Sequence, residues 1–264
     1  MSAPDLGSLV FRTRDDEGEI RVHEDDRCRY LTFGNEVEQS CVELARPARL
    51  AYVYTQAMML ALLLHPQPRS ALLLGVGGGS LLRALRAAAR GLRITGIERR
   101  AAVLDVARAW FGLPEDRRVQ LVCDEADAYL RNTSDRFDLL FADLYHADGM
   151  YPEQLAAEFL ASCRMCLEAD GVLVVNQWAS ELDRHGALLG NLGEVFGGQV
   201  LHLHVQGGNI LSFAFNGALP KIDRGIWLDA AQALGQRLDI PLQRQARNLW
   251  RQNAEVLRVA RYRR

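Results

Sequence analysis

Apolar and polar positions alternate in four short runs at the start of the chain, Ser8 to Thr13, Gly18 to His23, Cys28 to Phe33 and Glu36 to Val42. Turn clusters such as Asp15-Asp16-Glu17-Gly18 and Asp25-Asp26 separate them. Period-two alternation between turn signals predicts a small antiparallel meander. A hairpin unit of that size cannot hold itself together, so it is expected to dock on the larger remainder of the chain. Arg46-Pro47 marks its end, and the apolar run Leu50 to Leu64 predicts a helix that stops at Pro66 and Pro68.

From Ala71 the pattern changes to short apolar strands between helical stretches. The strands are Ala71–Leu74, Arg93–Ile97, Val119–Val122, Leu139–Ala142 and Val172–Asn176. The helices are Leu81–Ala89, Ala101–Phe111, Ala126–Leu130, Glu153–Leu167 and Leu182–Val195. This alternation predicts an α/β protein whose mostly parallel sheet is covered by helices on both faces. Val200–Val205 and Ile210–Asn216, parted by Gly207-Gly208, read as an antiparallel pair closing the sheet. Pro220 onward reads as helix, with Leu242, Ala246, Leu249, Trp250, Ala254 and Leu257 on one stripe. The expected organisation is a β meander over 1–48, a Rossmann-like catalytic domain over 49–216 and a helical extension over 217–264.

In open parallel sheets ligands bind beyond the carboxyl ends of the strands. There the chain places Gly75-Val-Gly77-Gly-Gly79-Ser80, then Glu98, then Asp124-Glu125, then Asp143. Glycines let backbone approach a ligand, and the N-terminus of the next helix offers free N–H groups. A dinucleotide fingerprint wants G-x-G-x-x-G/A, and the last place is Ser80; G-x-G-x-G is the usual turn of S-adenosylmethionine enzymes. An acid closing the second strand suits ribose hydroxyls, and Asp124 suits the exocyclic amine of adenine. A nicotinamide cofactor would account for Glu98 but leaves the later acids without a task.

Composition narrows the partner. The 264 residues carry a net charge of -2, which supplies no field for nucleic acid or a membrane surface and favours a small molecule. Lys221 is the only lysine. No stretch approaches the ~20 apolar residues of a membrane span and no leader pattern opens the chain, so a cytoplasmic location is expected. Five scattered cysteines fit free thiols, and Cys163-Arg-Met-Cys166 lacks a second pair to complete a zinc site, so no metal is expected.

The motifs Leu72 to Arg83, Gly96-Ile-Glu98, Val119 to Asp124, Phe137 to Asp143 and Phe159 to Leu167 with Gly171 to Gln177 resemble the spermidine synthase (polyamine aminopropyltransferase) family. The resemblance runs to about Asn216, and Tyr54-Thr-Gln56-Ala-Met58 echoes the family's preceding helix. It implies a β-hairpin domain on a Rossmann-like fold of the S-adenosylmethionine-dependent methyltransferase type. It also implies a nucleoside held by Gly75, Gly77, Gly79, Glu98, Asp124, Glu125 and Gln56, Asp143 as proton acceptor, Tyr54, Tyr145 and Asp148 toward the substrate, and a homodimer. Two departures stand out: Gly78 replaces an aspartate that the family uses to hold the donor's amine, and His146 replaces a second acid beyond Asp143. The segment from Asp143 to Phe159 is closer to a divergent, spermidine-synthase-like branch.

The donor expected from this is S-adenosylmethionine or its decarboxylated form, and the acceptor a small-molecule amine. The protein has mainly to align the amine for in-line attack and take its proton. A lone aspartate with a reference pKa near ~3.9 is a poor base for this, but a cluster of Asp124, Glu125 and Asp143 is expected to raise one another. His146 is either a second base or a structural loop histidine. A small-molecule methyltransferase on the same fold and a non-catalytic nucleoside-binding protein are the rival readings.

Overall fold

The computed structural model describes residues 5–35, 37–146, 149–178 and 182–259. The meander is present as four antiparallel strands in the order β1 (Ser8–Asp15), β2 (Gly18–Glu24), β3 (Cys28–Thr32) and β4 (Glu38–Glu43). Its inward side chains Ile20, Val22, Leu31 and Val42 form one apolar cluster with Val103, Val106 and Phe111, so the small sheet is closed by a helix of the larger unit.

The run Leu50 to Leu64 makes two short helices, α1 (Val53–Met58) and α2 (Ala61–Leu64), rather than the single helix its apolar pattern predicts. At the joint Met59 and Leu60 donate to carbonyls three residues back, tightening the turn and re-aiming the chain. Strand and helix then alternate: β5 (Ser70–Leu74), α3 (Ser80–Ala88), β6 (Arg93–Glu98), α4 (Ala101–Phe111), β7 (Val119–Cys123), α5 (Ala126–Asn132) and β8 (Phe137–Ala142). After β8 come the two-residue ladder β9 (Tyr145–His146) with β10 (Gly149–Met150), a 3-10 turn at Pro152–Leu155, α6 (Ala157–Met165) and β11 (Leu167–Trp178). The chain ends with α7 (Leu182–Val195), β12 (Val200–His204), β13 (Asn209–Phe215), α8 (Arg224–Leu238), α9 (Leu242–Gln252) and α10 (Ala254–Val259).

The large sheet has the order β12-β13-β11-β8-β5-β6-β7. Its β5, β6, β7, β8 and β11 are mutually parallel, and β13 runs antiparallel to β11 and β12. This is the mostly parallel, doubly covered fold of the S-adenosylmethionine-dependent methyltransferase type. Alternation along the central strands feeds two cores. Ala71, Leu73, Leu139 and Phe141 join the side packed by Trp227 and Leu249, while Leu72, Leu74, Leu140 and Ala142 join the side packed by Phe159 and Leu188. The C-terminal helices therefore share a core with the sheet. Asp223 sets the start of α8, its Oδ1 accepting from the N–H groups of Gly225 and Ile226. Cys163 and Cys166 lie buried in the second core as free thiols, and burial pushes both up. No helix among the described residues is long and apolar enough to cross a membrane.

One buried cation ties the layers. The guanidinium of Arg83 on α3 donates to the carbonyls of Gly78 (2.6 Å), Phe111 (2.7 Å) and Pro47 (2.9 Å), joining the glycine turn, the end of α4 and the junction after the meander. Arg83→Met would leave three carbonyls without their donor. It is expected to cost about 2–4 kcal/mol in chemical denaturation; a loss below ~0.5 kcal/mol would show the junction is held by packing alone.

Candidate functional site

The strand order reverses between β5 and β8, the place where such sheets open a crevice. Ladder bonds running past the strands place the residues beyond them: Gly75 N–H donates to Ile97 O, Asp124 N–H to Glu98 O, and Asp143 N–H to Leu74 O. Above them lies a cavity of about 720 Å³, within the range of small-molecule sites. Gly75, Gly77, Glu98, Asp124, Glu125, Tyr54, Tyr145 and Asp143 all line it.

The glycine turn is shaped by what presses on it. A Cβ on Gly75, whose φ is +89°, would stand 2.5 Å from the Asp143 carbonyl, so the turn and the end of β8 touch directly. The N–H groups of Val76 and Gly77 donate to Glu98 Oε2 at 3.3 and 3.1 Å, and that of Arg100 to Oε1 at 3.2 Å. Burial raises the Glu98 carboxyl above its ordinary range, and these backbone bonds oppose the rise. Glu98 thus orders the turn as well as facing the cavity.

Asp143 is the best-defined group. Asn176 Nδ2 donates to its Oδ1 at 2.8 Å, and the Tyr54 hydroxyl reaches its Oδ2 at 3.3 Å. Asn176 Nδ2 also lies 3.3 Å from the Tyr145 oxygen, and its Oδ1 accepts from Asn209 Nδ2 at 3.0 Å. Gln154 fixes this corner from behind, donating to the Asn176 carbonyl and accepting from Leu144 N–H. Burial pushes the Asp143 carboxyl up to about 6, against the bonds from Asn176 and Tyr54, which lower it. The expected mechanism for this shift, mutual repulsion among Asp124, Glu125 and Asp143, is corrected: desolvation raises Asp143, and the other two acids, one half-buried and one exposed, are not among its causes.

Two proposed ligands of the nucleoside stand outside the cavity lining. Gln56 is buried and turned inward, its Nε2 donating to the Leu50 carbonyl. Gly79 caps the start of α3, and a Cβ there would meet Leu113 at 2.0 Å, so the loop after α4 packs directly on it. His146 pairs through its backbone with Gly149, and its side chain, like Asp148, lies outside the described residues. Gly78 is closed in: its N–H donates to Ser40 Oγ at 2.8 Å, and a Cβ would stand 2.8 Å from Ser40 Cβ and 3.1 Å from Phe111.

Several cavity residues are not among those that the sequence pattern singles out. Asn176 and Asn209 come from β11 and β13. Glu38, which accepts from the Tyr52 hydroxyl at 2.5 Å, comes from the docked meander. Tyr52 stacks on Tyr54 with ring centres 6.0 Å apart, so the two tyrosines present Glu38 and Asp143 from one wall. Asn176 was within reach of the strand-end rule, because it lies near the end of a parallel strand; nothing local marks Glu38 or Asn209. Among the described residues six carboxylates line the cavity, Glu17, Glu38, Glu98, Asp124, Glu125 and Asp143, against Arg99 and Arg100. Both arginines are engaged, Arg99 with Glu17 and Glu125 and Arg100 with Asp15. The walls favour a cationic guest.

The sheet order and its switch-point cavity define the class, a Rossmann-like fold of the S-adenosylmethionine-dependent methyltransferase type. Within that class the chain belongs to the spermine/spermidine synthase domain family, whose sequence profile matches residues 52–190, and the family's enzymes are transferases. A polyamine aminopropyltransferase of Neisseria meningitidis is 28% identical over 200 residues, covering 75% of this chain and 76% of that one. The crystal structure of a probable spermidine synthase from Corynebacterium glutamicum superposes with a TM-score of 0.73 at 18% identity, covering 89% of each chain, a likeness of fold. An eEF1A lysine and N-terminal methyltransferase of Xenopus laevis is 28% identical over 178 residues, 61% of this chain and 26% of that much longer protein.

Because the folded pKa of Asp143, about 6, lies above the ordinary value of 3.8, its burial costs folding nothing below pH 3.8, a growing amount as the pH rises from 3.8 to about 6, and the full amount above that. Asp143→Asn is therefore expected to raise the melting temperature at pH 8 and to give no gain at pH 4. An equal shift at both would show that the carboxylate is not desolvated.

Proposed function

We propose that the chain transfers an aminopropyl group from a decarboxylated S-adenosylmethionine-type sulfonium to an amine acceptor, with Asp143 taking the proton of the attacking amine. The observation that supports this most is the desolvated Asp143 carboxylate, lifted to about 6 and held by Asn176 and Tyr54 in a carboxylate-lined cavity. The aminopropyltransferase relatives point the same way.

In this reading the glycine turn from Gly75 to Gly77 meets the nucleoside, Glu98 accepts from the ribose hydroxyls with lone pairs left over from its backbone bonds, and Asp124 accepts from the base amine. The amine nitrogen displaces the thioether from carbon: the C–N bond forms as the C–S bond breaks, the sulfur keeps the electron pair and its charge is cancelled. The proton then on nitrogen passes to Asp143. Tyr54, whose hydroxyl burial pushes well above its ordinary range, stays protonated and orients the carboxylate. A base near 6 is matched to such a transfer at neutral pH far better than an ordinary aspartate.

The second reading, an S-adenosylmethionine-dependent methyltransferase, is favoured by the closed space at Gly78, where Ser40 and Phe111 leave no room for an acid to hold a donor's amine, and by the Xenopus laevis relative. Products formed from both donors across a panel of amines, read by mass spectrometry, separate the two. Methyl addition alone overturns the proposal.

Asp143→Asn is expected to keep affinity for methylthioadenosine and to lower turnover about 10²–10⁴-fold. The parent's kcat/KM should fall below a pH of about 6, a limb that the variant lacks. Full activity in Asp143→Asn would remove Asp143 from the mechanism.

Glu98→Gln, which keeps the size of the side chain but loses its charge, is expected to weaken methylthioadenosine by about 1–3 kcal/mol in calorimetry. Unchanged affinity would mean that Glu98 serves the turn alone.

A further inference from the structure

Asp138 stands near the start of β8, five residues before Asp143 and roughly 16 Å away at the strand's ordinary rise. It belongs to a second polar cluster, with His65 after α2 and Asp170 in the irregular stretch of β11 between Leu167 and Val172, none of which lines the cavity. One ligand atom from each of the three lies within 4.8 Å of the others. His65 Nε2 is 3.8 Å from Asp138 Oδ1 and 3.6 Å from Asp170 Oδ1. These separations are too long for hydrogen bonds. They are close to the roughly 3.4 Å between two donors that each sit about 2.1 Å from a tetrahedral ion.

The surroundings prepare these atoms. Asp138 Oδ2 accepts from the N–H groups of Arg69 (2.7 Å) and Ser70 (2.9 Å) and from the Ser70 hydroxyl (3.0 Å), which locks the carboxylate and turns Oδ1 toward the imidazole. Such outer contacts are what orient metal-binding carboxylates. Both ring nitrogens of His65 are buried without a hydrogen-bond partner among the described residues, a costly state that a bound ion relieves at Nε2. The Asp170 side chain is 83% exposed and gives the cluster its access to solvent. Two carboxylates and a neutral imidazole balance a doubly charged ion, and mixed nitrogen and oxygen donors suit borderline metals over calcium or magnesium.

We propose that His65, Asp138 and Asp170 form a binding site for a divalent first-row transition ion of the Zn²⁺ class, with water completing its shell on the side of Asp170. The site clamps the exit of α2 to the starts of β8 and β11, at the end of the sheet opposite the cavity, and takes no part in the group transfer.

The test uses the full chain, stripped with a chelator and returned to chelator-free buffer. Calorimetry with Zn²⁺ is expected to show one ion per chain, Co²⁺ to develop the visible absorption of a four-coordinate ion, and Zn²⁺ to raise the melting temperature. Asp170→Asn, at an exposed position where the fold is retained, should weaken Zn²⁺ by more than about 100-fold, beyond the loss usual for an outer-shell partner, and abolish the thermal gain. Cys123→Ser, which removes the exposed thiol, should change neither. No stoichiometric ion in the parent, unchanged affinity in Asp170→Asn, or loss of binding in Cys123→Ser would each overturn the proposal. A histidine that is merely protonated between two aspartates would give pH-dependent stability with no response to metal, and that result overturns it as well.

Discussion

The structure depends on a turn whose glycines leave no room for side chains, with Val76 alone among them packed inward. At Gly75, Gly78 and Gly79 the place where a Cβ would sit is occupied by a different neighbour: the carbonyl of Asp143, the side chain of Ser40 and the side chain of Leu113. The turn is therefore the meeting point of the sheet, the docked meander and the loop after α4. Removing side chains there is what lets three layers converge, and the convergence builds the floor of the cavity. Arg83 supplies the polar counterpart, taking three carbonyls from these layers at once. A small sheet with little core of its own becomes part of the site in this way, since Ser40 and Glu38 are on β4.

Electrostatics is set by this packing. The cavity gathers carboxylates because several strand ends converge on it, and each is kept in its own condition. Glu98 accepts three backbone N–H groups, two of them from the turn, Asp124 is half-buried and Glu125 exposed, and Asp143 is half-buried with its carboxyl desolvated. An acid-lined pocket attracts sulfonium and ammonium groups. If every acid were equally buried, folding would carry the desolvation cost of each. One desolvated carboxylate among better-solvated ones gives a single group with a raised pKa without that accumulated burden.

The amino-acid sequence carried the fold clearly because its signals are local. Strand runs such as Ala71 to Leu74 are apolar at every position, as burial on both faces demands, and Gly75, Glu98, Asp124 and Asp143 come directly after their strands. What the sequence does not show is equally physical. Gln56 lies two residues from Tyr54 on the same short helix, about 200° around its axis, so that Tyr54 faces the cavity while Gln56 is turned inward to the Leu50 carbonyl. Asn209 and Glu38 arrive from an antiparallel strand and a docked sheet, so no periodicity links them to Asp143. The origin of the Asp143 shift is hidden from the sequence because charge can be counted along a chain, whereas desolvation is a property of the packed layers.

Two aspartates at the two ends of β8 show how far environment outweighs residue type. Burial acts to raise both. At Asp138 the N–H groups of Arg69 and Ser70 and the Ser70 hydroxyl outweigh it, and the carboxyl ends below its ordinary range, fixed as an anion. At Asp143 the donors are an amide of Asn176 and a longer bond from Tyr54, too weak to offset desolvation, and the carboxyl rises to about 6. The difference lies in where the strand sits. At its start, β8 borders backbone that still has N–H groups to give; at its end, the nearest donors are side chains from other strands. At the same end of the sheet backbone donors are present but committed to Glu98, which accepts from Val76, Gly77 and Arg100, so Asp143 is left with side-chain donors alone.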